Sequence, residues 1–418
     1  MSKEIEKKLL VGLEIGTTKV IAVIGERFPD GLINVVGFGI YPSKGIDKGR
    51  INDLESVVKC VHNAVDQAEM MANCHVTSVY LAFSSRHICC KNEIGIVPIT
   101  KEEVTEQDIY NVLYTAQSVK IKDEYQIIHV IPQEYSIDSQ KGIKNPIGLS
   151  GIRMKSYVHL ISCRKDAIKN VIKAVEKCGI KVDKLVFSGL STSFSVLTEE
   201  EKELGSCVID IGSGTMDFSI FTDSSLRYVK SIPYGGEIVT NDISYAFGIS
   251  TNEAEFLKIR YGSAFLKNNK EQEEVVEIPK MDGRPEKIIQ KKNLVQVIEP
   301  RYAELLQLVN IEIIQIQEKL KKKGIKNQLS SGIVLTGGGA KMKDLLSCAQ
   351  KVFHMQVRIG YPNNTTDSFK EVKDPSFSTV LGILNFEQEV GLKKEKKRRR
   401  NIFSRLFLSF KRWIKKEF

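Results

Sequence analysis

Leu13-Glu14-Ile15-Gly16-Thr17-Thr18-Lys19 and Ile209-Asp210-Ile211-Gly212-Ser213-Gly214-Thr215-Met216-Asp217 are near copies of each other, set nearly half the chain apart. Each follows an apolar run (residues 9–13 and 207–209) and precedes another (20–24 and 218–221). Each therefore reads as a strand, a tight glycine turn bearing a carboxylate and hydroxyls, and a returning strand. A third glycine turn, Leu335-Thr336-Gly337-Gly338-Gly339-Ala340, lies between an apolar strand at 333–335 and an expected helix. A polyphosphate must be met at close range by backbone N–H groups, and glycine permits that approach. Thr17, Thr18, Ser213 and Thr215 add hydroxyl donors, and Lys19 adds positive charge. Glu14, Asp210 and Asp217 would repel phosphate directly, so they are expected to face a Mg²⁺ ion through its water shell. One such turn alone reads as an ordinary hairpin. Two in matching context, with a third loop, read as a nucleotide held between two half-domains. Neither a terminal Gly-Lys-Ser/Thr nor a GxGxxG leading into a helix accompanies them.

With 418 residues and 42% hydrophobic content, the chain is long enough for two or more packed domains. The eight cysteines are scattered without a C-x-x-C pair, and Cys89-Cys90 suits neither a routine disulfide nor a zinc pair. No signal peptide is recognised, so reduced thiols are expected. The six histidines fall in no metal or triad spacing. Charge is unevenly divided. Residues 393–418 hold 12 of the 61 Lys and Arg and 2 of the 51 Asp and Glu, which leaves 49 of each sign in the first 392 residues. A neutral body with a basic end argues against a broad nucleic-acid surface.

That end has two parts. Residues 389–400 form a basic linker, and residues 401–418 have helical periodicity, with Asn401 as N-cap. At about 100° per residue, Ile402, Phe403, Leu406, Phe407, Phe410, Trp413 and Ile414 share one face with Phe418. Arg405, Lys411, Arg412, Lys415 and Lys416 share the other, with Leu408 and Glu417 out of place. The segment falls short of the roughly 20 uncharged residues that span a bilayer. It is instead expected to lie among headgroups, aromatics down and lysines toward anionic lipid. Each such cation adds on the order of 1 kcal/mol before screening. The alternatives are a helix packed on the body and a nucleic-acid tail; phosphate contacts would not need a continuous aromatic face.

The remaining chain divides as follows. Residues 1–83 with 164–196 form a first core half, interrupted by a small α+β unit at 84–163. Residues 197–232 with 300–388 form a second half, interrupted by a subdomain at 233–299. A turn is expected at Gly189, a polar loop at 267–274, and a long core-facing helix from Pro300 to about Lys323. The spacing of the two glycine hairpins implies a duplicated α/β domain with pseudo-twofold symmetry.

A duplicated acidic hairpin with a late Gly-Gly-Gly loop resembles the actin/sugar-kinase/DnaK-type ATPase fold. Within it, residues 13–19, Asn92-Glu93-Ile94-Gly95, His129-Val130-Ile131-Pro132-Gln133-Glu134-Tyr135, Gly142-Ile143-Lys144-Asn145-Pro146, residues 210–217 and the amphipathic end together resemble the FtsA family of bacterial cell-division proteins. The resemblance runs along essentially the whole chain. It implies an actin-like fold with ATP between the halves. Gly16, Thr17, Thr18 and Lys19 would form one phosphate loop, and Asp210, Gly212, Ser213, Gly214 and Thr215 the other. Gly337, Gly338 and Gly339 would face adenosine, with Glu255 and Lys258 at the ribose or base and Gly235 and Gly236 beside them. Glu14 stands where many actin-fold ATPases carry Asp, and Ser213 where Gly is common. The longer carboxylate implies weak or absent hydrolysis, and no catalytic base is identified.

The resemblance further implies a protein at the cytoplasmic face of the inner membrane, at the division septum. It would tether filaments of the tubulin-like FtsZ, self-associate as actin does, and recruit later division proteins partly through the 84–163 unit. Arg301 and Glu304 are the positions it ties to the FtsZ C-terminal peptide, which the resemblance implies is acidic and apolar. An actin-fold sugar kinase or another actin-like scaffold ATPase is the alternative. A kinase would need a carboxylate base facing a sugar pocket, and no lipid-binding helix.

Overall fold

The computed structural model describes residues 9–28, 32–265, 274–278, 287–325, 328–363, 365–366 and 368–389. The predicted basic linker beyond residue 389, the amphipathic helix at 401–418 and most of the polar loop at 267–274 lie outside the described residues.

The first half opens with β1 (Leu9–Ile15), β2 (Lys19–Arg27) and β3 (Ile33–Pro42), then a short pair, β4 (Ile46–Asp47) and β5 (Arg50–Ile51). Helix α1 (Leu54–Ala72) and β6 (Ser78–Phe83) follow. Asp53 caps α1 by accepting from the Ser56 N–H at 3.2 Å, and Asn73 ends it in the left-handed region. Its buried stripe is Val57, Cys60, Val61, Ala64, Val65 and Ala68, the spacing of one helical face.

The chain then leaves for the insert: β7 (Cys89–Pro98), α2 (Glu106–Gln117), β8 (Tyr125–Ile137), β9 (Gln140–Ile143) and β10 (Arg153–Arg164). These strands form an antiparallel sheet in the order β7-β10-β8-β9. Its own core includes Val112, Ala116, Met154 and Val158. Helix α3 (Lys165–Glu176), β11 (Lys181–Phe187) and α4 (Ser188–Val196) return to the first half.

The second half repeats the plan with α5 (Glu199–Leu204), β12 (Ser206–Ile211), β13 (Met216–Thr222) and β14 (Ser225–Ile232). Its inserted region holds α6 (Gly236–Phe247), α7 (Thr251–Tyr261), β15 (Val275–Ile278), β16 (Lys287–Gln290) and α8 (Lys291–Lys322). Then come β17 (Ile333–Thr336), α9 (Leu345–Phe353), β18 (Val357–Ile359) and α10 (Ser378–Glu389). The first sheet runs β11-β6-β1-β2-β3 and the second β18-β17-β12-β13-β14. In both, the three strands nearest the glycine hairpin are antiparallel and the next two parallel. The duplication expected from the two hairpins is present strand for strand.

Four local expectations are corrected. Gly189 is not in a turn but in the first turn of α4, where a Cβ would lie 2.8 Å from the Phe187 ring. Helix α4 is buried despite its serines because the hydroxyls return to carbonyls: Thr192 to Ser188 at 2.9 Å, Ser191 to Thr379 at 2.7 Å and Ser195 to Ser378 at 2.6 Å. The long helix starts at Lys291 rather than Pro300, because Leu294, Val295 and Ile298 extend the buried stripe of Tyr302, Leu305 and Leu306. That packing outweighs the N–H lost at Pro300. The third glycine loop enters a 3₁₀ turn, Gly338–Lys341, before α9 begins. Finally, chain order assigned α10 to the second half, yet it packs on β1, β2 and β6 of the first sheet. Helix α4 reciprocally packs on β12 and β13, and the two helices cross beneath the cleft.

Candidate functional site

The two glycine hairpins meet at the cleft. In the first, the Gly16 N–H donates to the Lys19 carbonyl at 3.0 Å; in the second, the Gly212 N–H donates to the Thr215 carbonyl at 2.9 Å. Each turn thus closes over the same three-residue span and leaves its tip facing the other. A Cβ at Gly214 would lie 2.4 Å from the Thr17 hydroxyl, so the tips touch. The second tip also rests on the start of α6, whose Gly236 and Glu237 N–H groups donate to the Gly212 and Ser213 carbonyls at 2.9 Å each.

A cleft of about 710 Å³ opens between the halves. Its walls carry Glu14, Gly16, Thr17, Thr18 and Lys19 from the first hairpin, and Asp210, Gly212, Ser213, Gly214, Thr215 and Asp217 from the second. Gly236, Glu255, Lys258, Gly337, Gly338 and Gly339 complete the predicted set on this surface. Gly235 lies beneath the wall, where a Cβ would meet the Gly212 and Ser213 carbonyls at 2.5 Å. Gly337 has φ +84°, and a Cβ there would reach Asp210 Oδ1 at 2.2 Å. Lys258 is held by the Gly236 carbonyl (3.0 Å), the Thr240 hydroxyl (2.7 Å) and Glu255 (2.6 Å). The predicted Glu255 and Lys258 therefore form one fixed pair across α7.

Three carboxyls dominate the floor. Glu14 is pushed up to about 8, first by burial and then by the charge of Asp210, with Lys19 opposing. Its Oε2 is buried without a hydrogen-bond partner. Asp217 is pushed up to about 7 by burial, against the Ser231 and Ser84 hydroxyls. Burial also raises Asp210, against hydroxyls donated by Thr379 (2.7 Å) and Thr192 (2.8 Å). Burial lowers Lys19, with the Glu14 charge opposing. Among the described residues, no three His, Cys, Asp or Glu side chains are grouped to hold a metal ion directly. The orphaned Glu14 oxygen and three carboxyls that burial biases toward the neutral form nevertheless fit a hydrated cation, whose charge would favour their ionised form.

Ser84, Thr192 and Thr379 were not expected in this site. Ser84 lies on the cleft wall at the root of the insert and donates to Asp217 Oδ1 at 2.7 Å. Thr192 and Thr379 come from the crossing helices. No local pattern marks them, since each is a hydroxyl in a stretch that reads as turn or packing helix. Arg301 and Glu304 are not on the cleft wall. Arg301 Nε donates to Asp242 at 2.5 Å, and its Nη1 donates to Glu304 at 2.5 Å.

A family model described as "Cell division protein FtsA" matches residues 207–382, and one described as "SHS2 domain inserted in FTSA" matches residues 85–162. Over 421 aligned residues the chain is 54% identical to Cell division protein FtsA of Escherichia coli (strain K12), covering 100% of both. The chain belongs to the FtsA family. The corresponding family member of Buchnera aphidicola subsp. Acyrthosiphon pisum is 50% identical over 99% of each chain. That of Pseudomonas aeruginosa PAO1 is 40% identical over 93% of this chain and 90% of its own. Among solved structures, a chain of the PilM-PilN type IV pilus biogenesis complex superposes with TM-score 0.63 at 16% identity, over 91% of this chain and 98% of its own. MreB5 of Spiroplasma citri bound to ADP gives 0.52 at 17% identity, over 94% and 98%. At such identities the structural likeness shows the fold alone, which is actin-like.

Proposed function

We propose that the cleft binds ATP with Mg²⁺ and that the chain uses this site as an adaptor, joining FtsZ filaments to the cytoplasmic face of the inner membrane at the division septum. The observation that carries the nucleotide reading is the pair of touching hairpins, each closed by the same glycine N–H bond. Backbone N–H groups at both tips and the hydroxyls of Thr17, Thr18, Ser213 and Thr215 would hold the phosphates. Gly337, Gly338 and Gly339 would lie against adenosine, and the fixed pair Glu255 and Lys258 would meet the ribose or base. The solved MreB5 structures with ADP and AMPPNP show that nucleotides occupy relatives of this fold.

Glu14, Asp210 and Asp217 would receive Mg²⁺ through its waters. Bound there, the ion supplies the positive charge that buried carboxylates need to stay ionised. One oxygen of Glu14, Oε2, is buried in the floor without a hydrogen-bond partner, which supports slow or absent hydrolysis. Among the described residues, no helix is long and apolar enough to cross a membrane. Residues 401–418 would supply the membrane contact, with Ile402, Phe403, Leu406, Phe407, Phe410, Trp413 and Ile414 down and Lys411, Arg412, Lys415 and Lys416 toward anionic lipid. Self-association, recruitment of later division proteins through the insert, and docking of the FtsZ C-terminal peptide near Arg301 and Glu304 complete the reading.

Co-sedimentation with anionic vesicles tests it, using the full chain and a chain lacking residues 401–418, with and without ATP and FtsZ. The full chain should pellet and carry FtsZ down. The shortened chain should stay in the supernatant while binding ATP as before. Pelleting by the shortened chain would overturn the role of the tail, and pelleting without FtsZ would overturn the tether.

A further inference from the structure

Three sequence stretches that carry the family resemblance lie in the insert and have no role in the cleft: residues 92–95, 129–135 and 142–146. In the structure their polar side chains converge on one strand of the other half. Lys144 Nζ donates to the Asp223 carbonyl at 2.6 Å and to Ser225 Oγ at 2.8 Å. Gln133 Nε2 donates to the Leu226 carbonyl at 2.5 Å, and the Ser225 hydroxyl returns a bond to the Gln133 carbonyl at 2.8 Å. Asn92 Nδ2 donates to the Arg227 carbonyl at 3.3 Å, and Cys90 Sγ lies 3.3 Å from the Val229 carbonyl.

Strand β14 is the edge of the second sheet. Insert side chains, not another strand, thus meet the Leu226, Arg227 and Val229 carbonyls of this edge, and Lys144 meets the turn that precedes it. The donors are themselves ordered. Asn92 Oδ1 accepts from Gln133 at 3.3 Å and lies 2.6 Å from His159 Nδ1. Burial holds His159 neutral, and with the Asn92 oxygen opposite Nδ1 the tautomer protonated there is the one that completes the bond and keeps the Asn92 amide toward β14.

The same strand reaches the cleft at its other end. Ser231 Oγ lies 3.0 Å from Ser84 Oγ, which donates to Asp217. From Ser225 to Ser231 a strand spans about 20 Å. The base of the insert, including Ile161, Cys163 and Ile88, is meanwhile buried in the first-half core. The insert is therefore fixed to one half by apolar packing and to the other by side-chain-to-backbone hydrogen bonds.

We propose that Asn92, Gln133 and Lys144 form a releasable latch between the insert and β14, coupled along that strand to the nucleotide cleft. Closing the cleft sets β14 where the latch engages, and releasing the latch lets the halves part. Coupling of this kind is reciprocal: a bound nucleotide tightens insert docking, and a load on the insert weakens nucleotide binding by the same factor. The coupling, though not the latch, rests on the nucleotide reading above.

Lys144 is exposed and away from the cleft wall, so Lys144→Met tests the latch without touching the site. Two measurements on the full chain decide it: amide hydrogen exchange over residues 125–143 and 218–232, and the equilibrium dissociation constant of a fluorescent N-methylanthraniloyl-ATP with Mg²⁺. Lys144→Met should speed exchange in both segments and raise the dissociation constant about fivefold or more. Lys144→Arg, which keeps a donor, should fall between. Unchanged exchange would mean there is no latch. Faster exchange with an unchanged dissociation constant would overturn the coupling, since a merely structural contact would behave that way. If the analogue does not bind the unaltered chain, the nucleotide reading fails instead, and exchange alone decides the latch.

Discussion

Gly214 and Thr17 touch across the cleft, tip to tip, with no room at position 214 for a Cβ: it would sit 2.4 Å from the Thr17 hydroxyl and 3.1 Å from Thr17 Cβ. The closed state therefore depends on one absent methyl group. Gly214→Ala should force the hairpins apart and weaken nucleotide binding by about 1–2 kcal/mol, roughly tenfold. Equilibrium titration with labelled ATP measures this. Unchanged affinity would show that the tips need not meet for binding.

Gly338 and Gly339 should respond differently although they are neighbours. A Cβ on Gly338 meets nothing within 4 Å, whereas one on Gly339 lies 2.4 Å from the Ile211 side chain. Gly338→Asp should fold normally and lower ATP affinity by placing charge on the cleft wall. Gly339→Ala should lose about 1–3 kcal/mol of stability. Thermal denaturation beside a binding titration separates the two effects, and an unfolded Gly338→Asp would contradict the open space there.

Stability should fall as pH rises from 6.5 to about 8 in the chain without nucleotide or divalent cation. Glu14 rises from 4.5 to about 8 on folding, and Asp217 from 3.8 to about 7. A carboxyl raised on folding contributes stability below its unfolded value and loses it as pH climbs through the folded one. The buried His129 and His159, pushed down to about 3 by desolvation, act oppositely, but only below their ordinary 6.5. The clean window is thus pH 6.5 to about 8, and the loss should be on the order of 1–3 kcal/mol. Denaturation midpoints across that range would show it, and Glu14→Gln should flatten the slope. A slope unchanged in that variant would assign the titration to another group.

Arg301 cannot offer a free cation to an acidic peptide, because Asp242 and Glu304 already bracket it. This local set carries one net negative charge. Asp242→Asn should therefore raise affinity for an acidic FtsZ C-terminal peptide by roughly threefold, about 0.5–1 kcal/mol. Arg301→Ala should lower it. Fluorescence anisotropy of a labelled peptide reads both, and weaker binding by Asp242→Asn would place the peptide elsewhere.

How much of this was legible beforehand depends on the range of the interaction. The hairpin turns at Gly16 and Gly212 and the helical stripe of α1 are written in local pattern, because turn chemistry and periodicity act over a few residues. So is the amphipathic pattern of residues 401–418. The amino-acid sequence by itself determined the duplication, since two hairpins of one design build two sheets of one order.

Only the tertiary structure decided what those elements do to each other. Chain order placed α10 with the second half, but Gly12 of β1, where a Cβ would lie 2.7 Å from the Val380 carbonyl, lets it lie on the first sheet, and Gly382, where a Cβ would lie 1.9 Å from the Ser191 carbonyl, lets it cross α4. That crossing delivers Thr192 and Thr379 to Asp210. Ser84 reaches Asp217 across 133 positions of chain, and Gln133 reaches Leu226 across 93. The neutral bias of Glu14 likewise arises from burial beside Asp210, a neighbour 196 positions away. Hydroxyl bonds, desolvation and carboxylate repulsion depend on distance in space. No pattern of nearby residues encodes that distance until the two halves close.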